Sequence, residues 1–191
     1  ALRFDKTGTL TTGTPAVARF VGDDGAGDDG RDGGRAVFRR AQALALASTH
    51  VLSRSILRYA GGGAEADPVS EVRVIPGGGI VGLVGGDGAR TALGSRRLME
   101  QERLPLGPAL DRSARESEAE GRSLALIGWA GKARGLFVFD EELRPSAREA
   151  IACCRALGLD LGVLTGDHPT RGRALAEQLG VPVEAGLLPE D

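Results

Sequence analysis

The stretch Asp5-Lys6-Thr7-Gly8-Thr9-Leu10-Thr11 constrains this chain more than any other. It follows a short apolar lead-in (Ala1, Leu2, Phe4) that reads as the end of a β-strand. An aspartate at the C-terminal tip of a parallel strand projects into the crevice where open α/β sheets bind ligands. Lys6 then supplies a cation, and Thr7, Gly8 and Thr9 supply hydroxyls and unhindered backbone N–H groups suited to surround a phosphoryl group. A carboxylate so placed has the chemistry of a covalent nucleophile that accepts phosphate. The bland alternative is a polar strand-to-loop turn with no chemistry.

The C-terminal part has the matching pattern. Residues 145–157 read as a helix with Pro145 in its first turn, 159–164 as a short apolar strand, 170–179 as a helix closed by Gly180, and 181–183 as the start of another strand. Helix–strand–helix–strand with apolar strands is the signature of a parallel sheet. The middle differs. Residues 16–21 read as a strand, and 37–47 and 51–60 as helices, the second ended by Gly61-Gly62-Gly63. Between 69 and 93 lie short β-rich runs divided by glycine turns, as in antiparallel hairpins. Residues 95–120 are helix-favouring, and 123–129 and 133–139 are two strands joined around Gly131-Lys132. The chain therefore reads as α/β at both ends with an antiparallel α+β insert.

Bulk properties exclude some classes. With 191 residues and 41% hydrophobic content, a core forms without disulfides or metals. A net charge of −2 gives no electrostatic reason for a nucleic-acid partner. The run at 22–35 is almost wholly Gly, Asp and Arg, which predicts a solvated loop; it lacks the ligand alternation and terminal Glu of an EF-hand. Cys153 and Cys154 are adjacent, and a metal-binding pair is the alternative to two small buried helical residues in a reducing compartment. No long apolar run is present, so the chain is not expected to span a membrane.

The run Asp-Lys-Thr-Gly-Thr-Leu-Thr resembles the phosphorylation motif of P-type ATPases, ion pumps whose catalytic domain belongs to the haloacid dehalogenase superfamily. The resemblance implies a Rossmannoid phosphorylation domain at residues 1–14 and 139–191, interrupted by a nucleotide-binding domain at 15–138. Leu164-Thr165-Gly166-Asp167 resembles the family's Thr-Gly-Asp motif; Thr165 is implied to contact the transferring phosphoryl group and Asp167 to lie near hinge and nucleotide. Asp140-Glu141-Glu142-Leu143-Arg144-Pro145 resembles the family hinge, which has an Asp three residues before the Arg. Glu141 holds that position here, so either the role moves to Asp140 or Glu substitutes.

Ser48-Thr49-His50-Val51-Leu52 resembles the Ser-Glu-His-Pro-Leu element of heavy-metal pumps, whose His helps bind adenine. Thr49 and Val51 depart from it, and a helix-capping role for His50 stays open. Pro76-Gly77-Gly78-Gly79-Ile80-Val81-Gly82 contains Gly-x-Gly-x-x-Gly, but a strand rather than a helix follows, against a dinucleotide site. It resembles the pumps' glycine-rich turn, with Gly94-Ser95 for Gly-Asn. Gly77 and Gly79 are then implied to let backbone approach ATP, and a plain hairpin turn is the alternative.

The reaction implied is transfer of the ATP γ-phosphoryl group to Asp5, with closure of the two domains. Mg²⁺ is implied at the Asp5 carboxylate and the Thr7 carbonyl, and Lys6, Thr165, Gly166 and Asp167 complete the catalytic set. Many phosphatases of the superfamily carry a second Asp two residues after the nucleophile; Thr7 stands there, which suits a long-lived aspartyl phosphate. The resemblance further implies a C-terminally incomplete piece, soluble alone and weak in ATP binding and self-phosphorylation. Its parent is implied to be a pump at the cytoplasmic face of the cell membrane, with actuator and transmembrane domains and a transported heavy-metal ion (copper by family frequency). A soluble phosphatase with an inserted cap and a non-catalytic nucleotide-binding module are the rival readings.

Overall fold

The computed structural model describes residues 1–23, 32–61 and 66–187. Most of the Gly/Asp run, Gly62-Gly63 and the last four residues lie outside the described residues. In chain order the elements begin β1 (Leu2–Asp5), β2 (Thr11–Gly22), α1 (Asp32–Leu46), α2 (Val51–Tyr59), β3 (Val69–Ile75), β4 (Gly79–Val84) and β5 (Ala89–Gly94). They continue with α3 (Arg96–Gln101), α4 (Pro108–Ala119), β6 (Ser123–Trp129), β7 (Lys132–Leu143), α5 (Ala147–Ala156), β8 (Leu161–Thr165), α6 (Pro169–Leu179) and β9 (Val183–Ala185). Two compact units result: Ala1–Thr14 with Glu141–Asp191, and Pro15–Asp140. The fold class is mixed α/β, with one parallel and one largely antiparallel sheet.

The first unit is a parallel sheet of order β1-β8-β9, with β1 and β8 in register from Leu2 opposite Leu161 to Asp5 opposite Leu164. Leu161 and Val163 of β8 meet Ile151 of α5 and Leu175 and Leu179 of α6 in one apolar core. Gly172 lets α6 close on β9, since a Cβ there would come 2.5 Å from the Ala185 Cβ. Gly180, at φ 68°, ends α6 in the left-handed conformation that glycine adopts without a Cβ penalty.

The second unit is a six-stranded sheet of order β2-β7-β6-β5-β4-β3, covered on both faces. Alternate residues explain the covering. Ile80, Ile127, Phe137 and Phe139 pack with Leu44 of α1 and Ile56 of α2. Their neighbours Val81, Leu126, Leu136 and Val138 pack with Leu98, Met99 and Leu110 of α3 and α4. Strands buried on both faces read as unbroken apolar runs, which is why alternation is weak in the sequence. Arg40, buried on α1, donates to the Val84 carbonyl (2.6 Å) and to both Asp87 oxygens (2.8 and 2.7 Å), with its guanidinium 5.0 Å from the Trp129 ring centre.

Several boundaries differ from expectation for identifiable reasons. β2 starts at Thr11 rather than residue 16, passing through Gly13 and Pro15; it is an edge strand, where a proline without an N–H is tolerated. The helix expected from 37 starts at Asp32, inside the run read as loop. The two apolar runs around Gly82 are one strand, because that glycine gives Leu44 room: a Cβ would lie 3.1 Å from its Cδ2. Pro145 is outside α5, at the second position of a turn in which the Ala147 N–H donates to the Arg144 carbonyl (3.0 Å). β7 extends to Leu143, β8 starts at Leu161 and β9 at Val183. Cys153 is exposed and Cys154 half-buried, so the pair is not a buried one. No helix among the described residues is long and apolar enough to cross a membrane.

Candidate functional site

Parallel pairing of β1 and β8 sets Asp5 opposite Leu164, one residue before Thr165, at the C-terminal ends of adjacent strands. Residues Lys6–Leu10 then turn over the strand tip. Gly8 makes the turn at φ 77°, and the Thr11 N–H donates back to the Lys6 carbonyl. Asp5, Thr7, Gly8 and Thr9 are exposed, whereas Lys6 and Leu10 are buried. The Asp5 carboxylate has no hydrogen-bond or ion-pair partner among the described residues, and Gly166 beside Thr165 is likewise exposed.

Lys6 is 4% exposed, and its ammonium is held by carboxylates. It forms a short ion pair with Asp167 Oδ2 and a second with Glu141 Oε2 at 3.4 Å. Glu141 also accepts from the Thr11 hydroxyl (2.9 Å), which itself accepts the Gly8 N–H (3.1 Å). Asp167 is gripped from its other side by Arg171 (3.3 Å), one helical turn along α6. The Asp167 N–H donates to Thr165 Oγ1 (3.1 Å), leaving the Thr165 hydroxyl proton to donate elsewhere. Arg144 donates to the Gly8 carbonyl (2.9 Å) and steadies the turn. An ammonium has three protons, so two carboxylates leave one for another acceptor.

Of the residues singled out in the sequence, Lys6, Thr165 and Asp167 are thus joined beside Asp5, and Thr7 sits on the exposed turn. Of the two hinge carboxylates, Glu141 faces Lys6, while Asp140 lies 4.0 Å from Arg122 within the other unit. Thr11, Arg144 and Arg171 were not assigned roles. Arg171 was findable from its i,i+4 spacing to Asp167; the Thr11 contact depends on strand pairing and leaves no local signal.

His50, Gly77 and Gly79 belong to the second unit and line one cleft of about 460 Å³. Its walls are apolar, with Leu52, Ile56, Ile75 and Leu93 among them, and its polar groups include Ser48, Ser53 and Ser95. That volume is within the range of small-molecule sites. His50 caps α2: its Nδ1 accepts the Leu52 N–H at 3.3 Å, so the neutral ring carries its proton on Nε2. Gly77 (φ 65°) and Gly79 (φ 143°) form the β3–β4 hairpin turn. A Cβ on Gly79 would lie 2.6 Å from the Gly94 Cα, so these two glycines bring β4 against β5 at the cleft floor. The capping and hairpin alternatives are therefore what the backbone does here, and both leave the cleft open.

The Asp5 carboxylate is a hard oxygen ligand suited to a hard cation. The exposed, unengaged Asp5 carboxylate matches the way Mg²⁺ binds, through one or two carboxylates plus substrate phosphates. Among the described residues no cluster of three His, Cys, Asp or Glu forms a ready-made metal cage.

Comparison with known proteins gives the same family. Residues 1–191 match the haloacid dehalogenase-like hydrolases. The chain is 31% identical over 194 residues to a copper-exporting P-type ATPase of Staphylococcus haemolyticus, covering 98% of this chain and 22% of that protein. It is 31% identical over 189 residues to a zinc/cadmium/lead-transporting P-type ATPase of Escherichia coli, covering 98% and 24%. A solved crystal structure of a zinc-transporting PIB-type ATPase aligns with a TM-score of 0.78 at 31% identity, covering 99% of this chain and 29% of that one. The chain thus spans about a quarter of the length of the relatives it matches. With its Asp5 turn, parallel strand tips and end-to-end family match, this chain belongs to the haloacid dehalogenase-like hydrolases, and its relatives along nearly its whole length are heavy-metal P-type ATPases.

Proposed function

We propose that the chain is the ATP-binding and phosphorylation portion of a heavy-metal cation pump, with Asp5 as the phosphoryl acceptor. An Asp5 carboxylate oxygen attacks the γ-phosphorus of ATP; that P–O bond forms while the bond to the β-phosphate oxygen breaks, and ADP leaves with the electron pair. ADP needs no proton to leave, so Thr7 in place of a second acid is no obstacle. The remaining proton of Lys6 and the hydroxyl of Thr165 donate to the oxygens of the phosphoryl group in flight. Glu141 and Asp167 hold Lys6 at the strand tip, and His50 with the Gly77–Gly79 turn receives the nucleotide. Mg²⁺, when bound at Asp5 and the Thr7 carbonyl, neutralises charge on the phosphates. The membrane location, the transported metal ion and the partnership with actuator and transmembrane domains belong to this proposal.

The observation that carries it is the buried Lys6, pinned by two carboxylates beside an exposed, unengaged Asp5. The test uses the full product of the reading frame with γ-labelled ATP and Mg²⁺. Acid-stable, hydroxylamine-labile label is expected, absent in Asp5→Asn. Equal labelling of that variant overturns the assignment. Rapid turnover of p-nitrophenyl phosphate with no labelling from ATP favours the phosphatase reading instead.

A further inference from the structure

Asp167 is held at the strand tip through its main chain and both carboxylate oxygens. Its N–H donates to Thr165 Oγ1 (3.1 Å) and its carbonyl accepts the Gly186 N–H (2.9 Å), which fixes its backbone. The carboxylate is divided between two cations: Oδ2 takes Lys6, and Oδ1 takes Arg171 Nη1 at 3.3 Å. Arg171 lies in the first turn of α6, and its side chain is only 13% exposed. A cation there opposes the helix dipole, whose positive end favours acidic side chains, and the first turn of α6 has no acidic residue of its own. A residue that breaks a local rule in a packed place points to a site that needs it.

The division matters because the Lys6 ammonium has three protons. One faces Glu141 Oε2 and one Asp167 Oδ2, which leaves the third for an acceptor that arrives with the ligand. A carboxylate can also accept through both of its oxygens. With Oδ1 unoccupied, Asp167 would turn both on Lys6, and the third proton would be spent. We propose that Arg171 is a positioning residue for phosphoryl transfer: by occupying Asp167 Oδ1 it limits that carboxylate to one Lys6 proton and keeps another for the transferred group. This rests on Asp5 being the phosphoryl acceptor, and it adds the residue that sets how Lys6 serves it. In this role Arg171 acts through Asp167 and touches neither phosphate nor nucleotide.

The test is the rate of label transfer from γ-labelled ATP, with Mg²⁺ and increasing ATP, in the full product of the reading frame. Arg171→Met keeps the apolar stem but donates nothing. It is expected to slow transfer at saturating ATP by about tenfold or more, through loss of one donor to the charge in flight. Half-saturating ATP should stay within about twofold, because the lost interaction belongs to the transition state. Arg171→Lys, which can still pair with Asp167 across one helical turn, is expected to restore the rate to within about threefold. Glu141→Ala releases one Lys6 proton, so in that background Arg171→Met should cost about threefold or less. A merely structural role gives the same loss or a larger one there. An unchanged rate in Arg171→Met, a loss confined to half-saturating ATP, Arg171→Lys as slow as Arg171→Met, or an undiminished loss beside Glu141→Ala each overturns the proposal while Asp5 labelling stands. Lost amide protection in β8 of Arg171→Met assigns Arg171 to stability and overturns it as well. No labelling of the native chain overturns the acceptor reading, and the proposal with it.

Discussion

Glu141 supports Lys6 through two measurable interactions, so its removal tests how the strand tip is held. A unit-charge pair 3.4 Å apart is worth about 5 kcal/mol at an effective dielectric of about 20. The Glu141 side chain is 31% exposed and Asp167 remains in place, so screening and the surviving partner reduce the loss to about 1–2 kcal/mol. The Thr11 hydrogen bond adds about 1 kcal/mol. Glu141→Ala should therefore weaken the first unit by about 2 kcal/mol, and Glu141→Gln, whose amide oxygen still accepts from Thr11, by about 1. Combining Glu141→Gln with Asp167→Asn leaves the buried ammonium without a counter-charge and should cost about 3–5 kcal/mol, more than the two single changes added. Amide hydrogen exchange in Leu2–Asp5 and Leu161–Thr165 reads this unit directly, and 2 kcal/mol is about thirtyfold in protection. Trp129, the sole tryptophan, lies in the other unit and should keep its emission. Unchanged protection in Glu141→Ala, or additive losses in the double variant, would refute the arrangement.

Gly79→Ala should destabilise the second unit by more than 2 kcal/mol, since a Cβ would collide with the β5 backbone at a disallowed φ; Gly77→Ala, with nothing within 4 Å, should cost about 1 kcal/mol. Denaturant titration of Trp129 fluorescence separates them, and equal losses would count against the close approach. On acidification, Asp87, Glu102 and Asp111 act together. The Arg40, Arg90 and Arg96 guanidiniums respectively hold their carboxyls below the ordinary range by hydrogen bonding. Their folded pKa values lie below the unfolded ones, so the stability they add is full above about pH 5 and drains away as pH falls through the folded values. The stability gap between the native chain and Asp87→Asn should therefore narrow as the pH falls below about 4; a gap constant with pH would overturn the assignment.

The parts legible in the sequence are those set by local chemistry. The Asp5 turn, the glycine end of α6 and the hairpins between Val69 and Gly94 all announce themselves through glycine, proline and polar residues at fixed offsets. What was not legible depends on neighbours. The strand read at 16–21 starts after Pro15 in the sequence, yet β2 runs through that proline, because only strand order reveals that β2 is an edge. Gly82 reads as a break until Leu44 is seen to need its missing side chain. Likewise the choice between Asp140 and Glu141 is made by where β7 leaves the second unit, and no spacing rule in the chain fixes that point.

The burial of Lys6 bears on how a phosphate could be received at this tip. An anion site built on side-chain charge would show a surplus of cations. Here Lys6, Arg144 and Arg171 stand near Asp5, Glu141 and Asp167, and the charges cancel. Two of the three Lys6 protons are spent on carboxylates, and Arg144 is turned to a backbone carbonyl. A triphosphate approaching an unprotected Asp5 carboxylate would therefore meet repulsion with no net positive charge to offset it. The side chains are arranged to position donors, and the compensating charge must arrive with the ligand, as a divalent cation on its phosphates does. That division of labour gives Glu141 a reason to be charged: with Asp167 it offsets the Lys6 charge, so that under the proposed function the positive charge facing the phosphates comes with the metal.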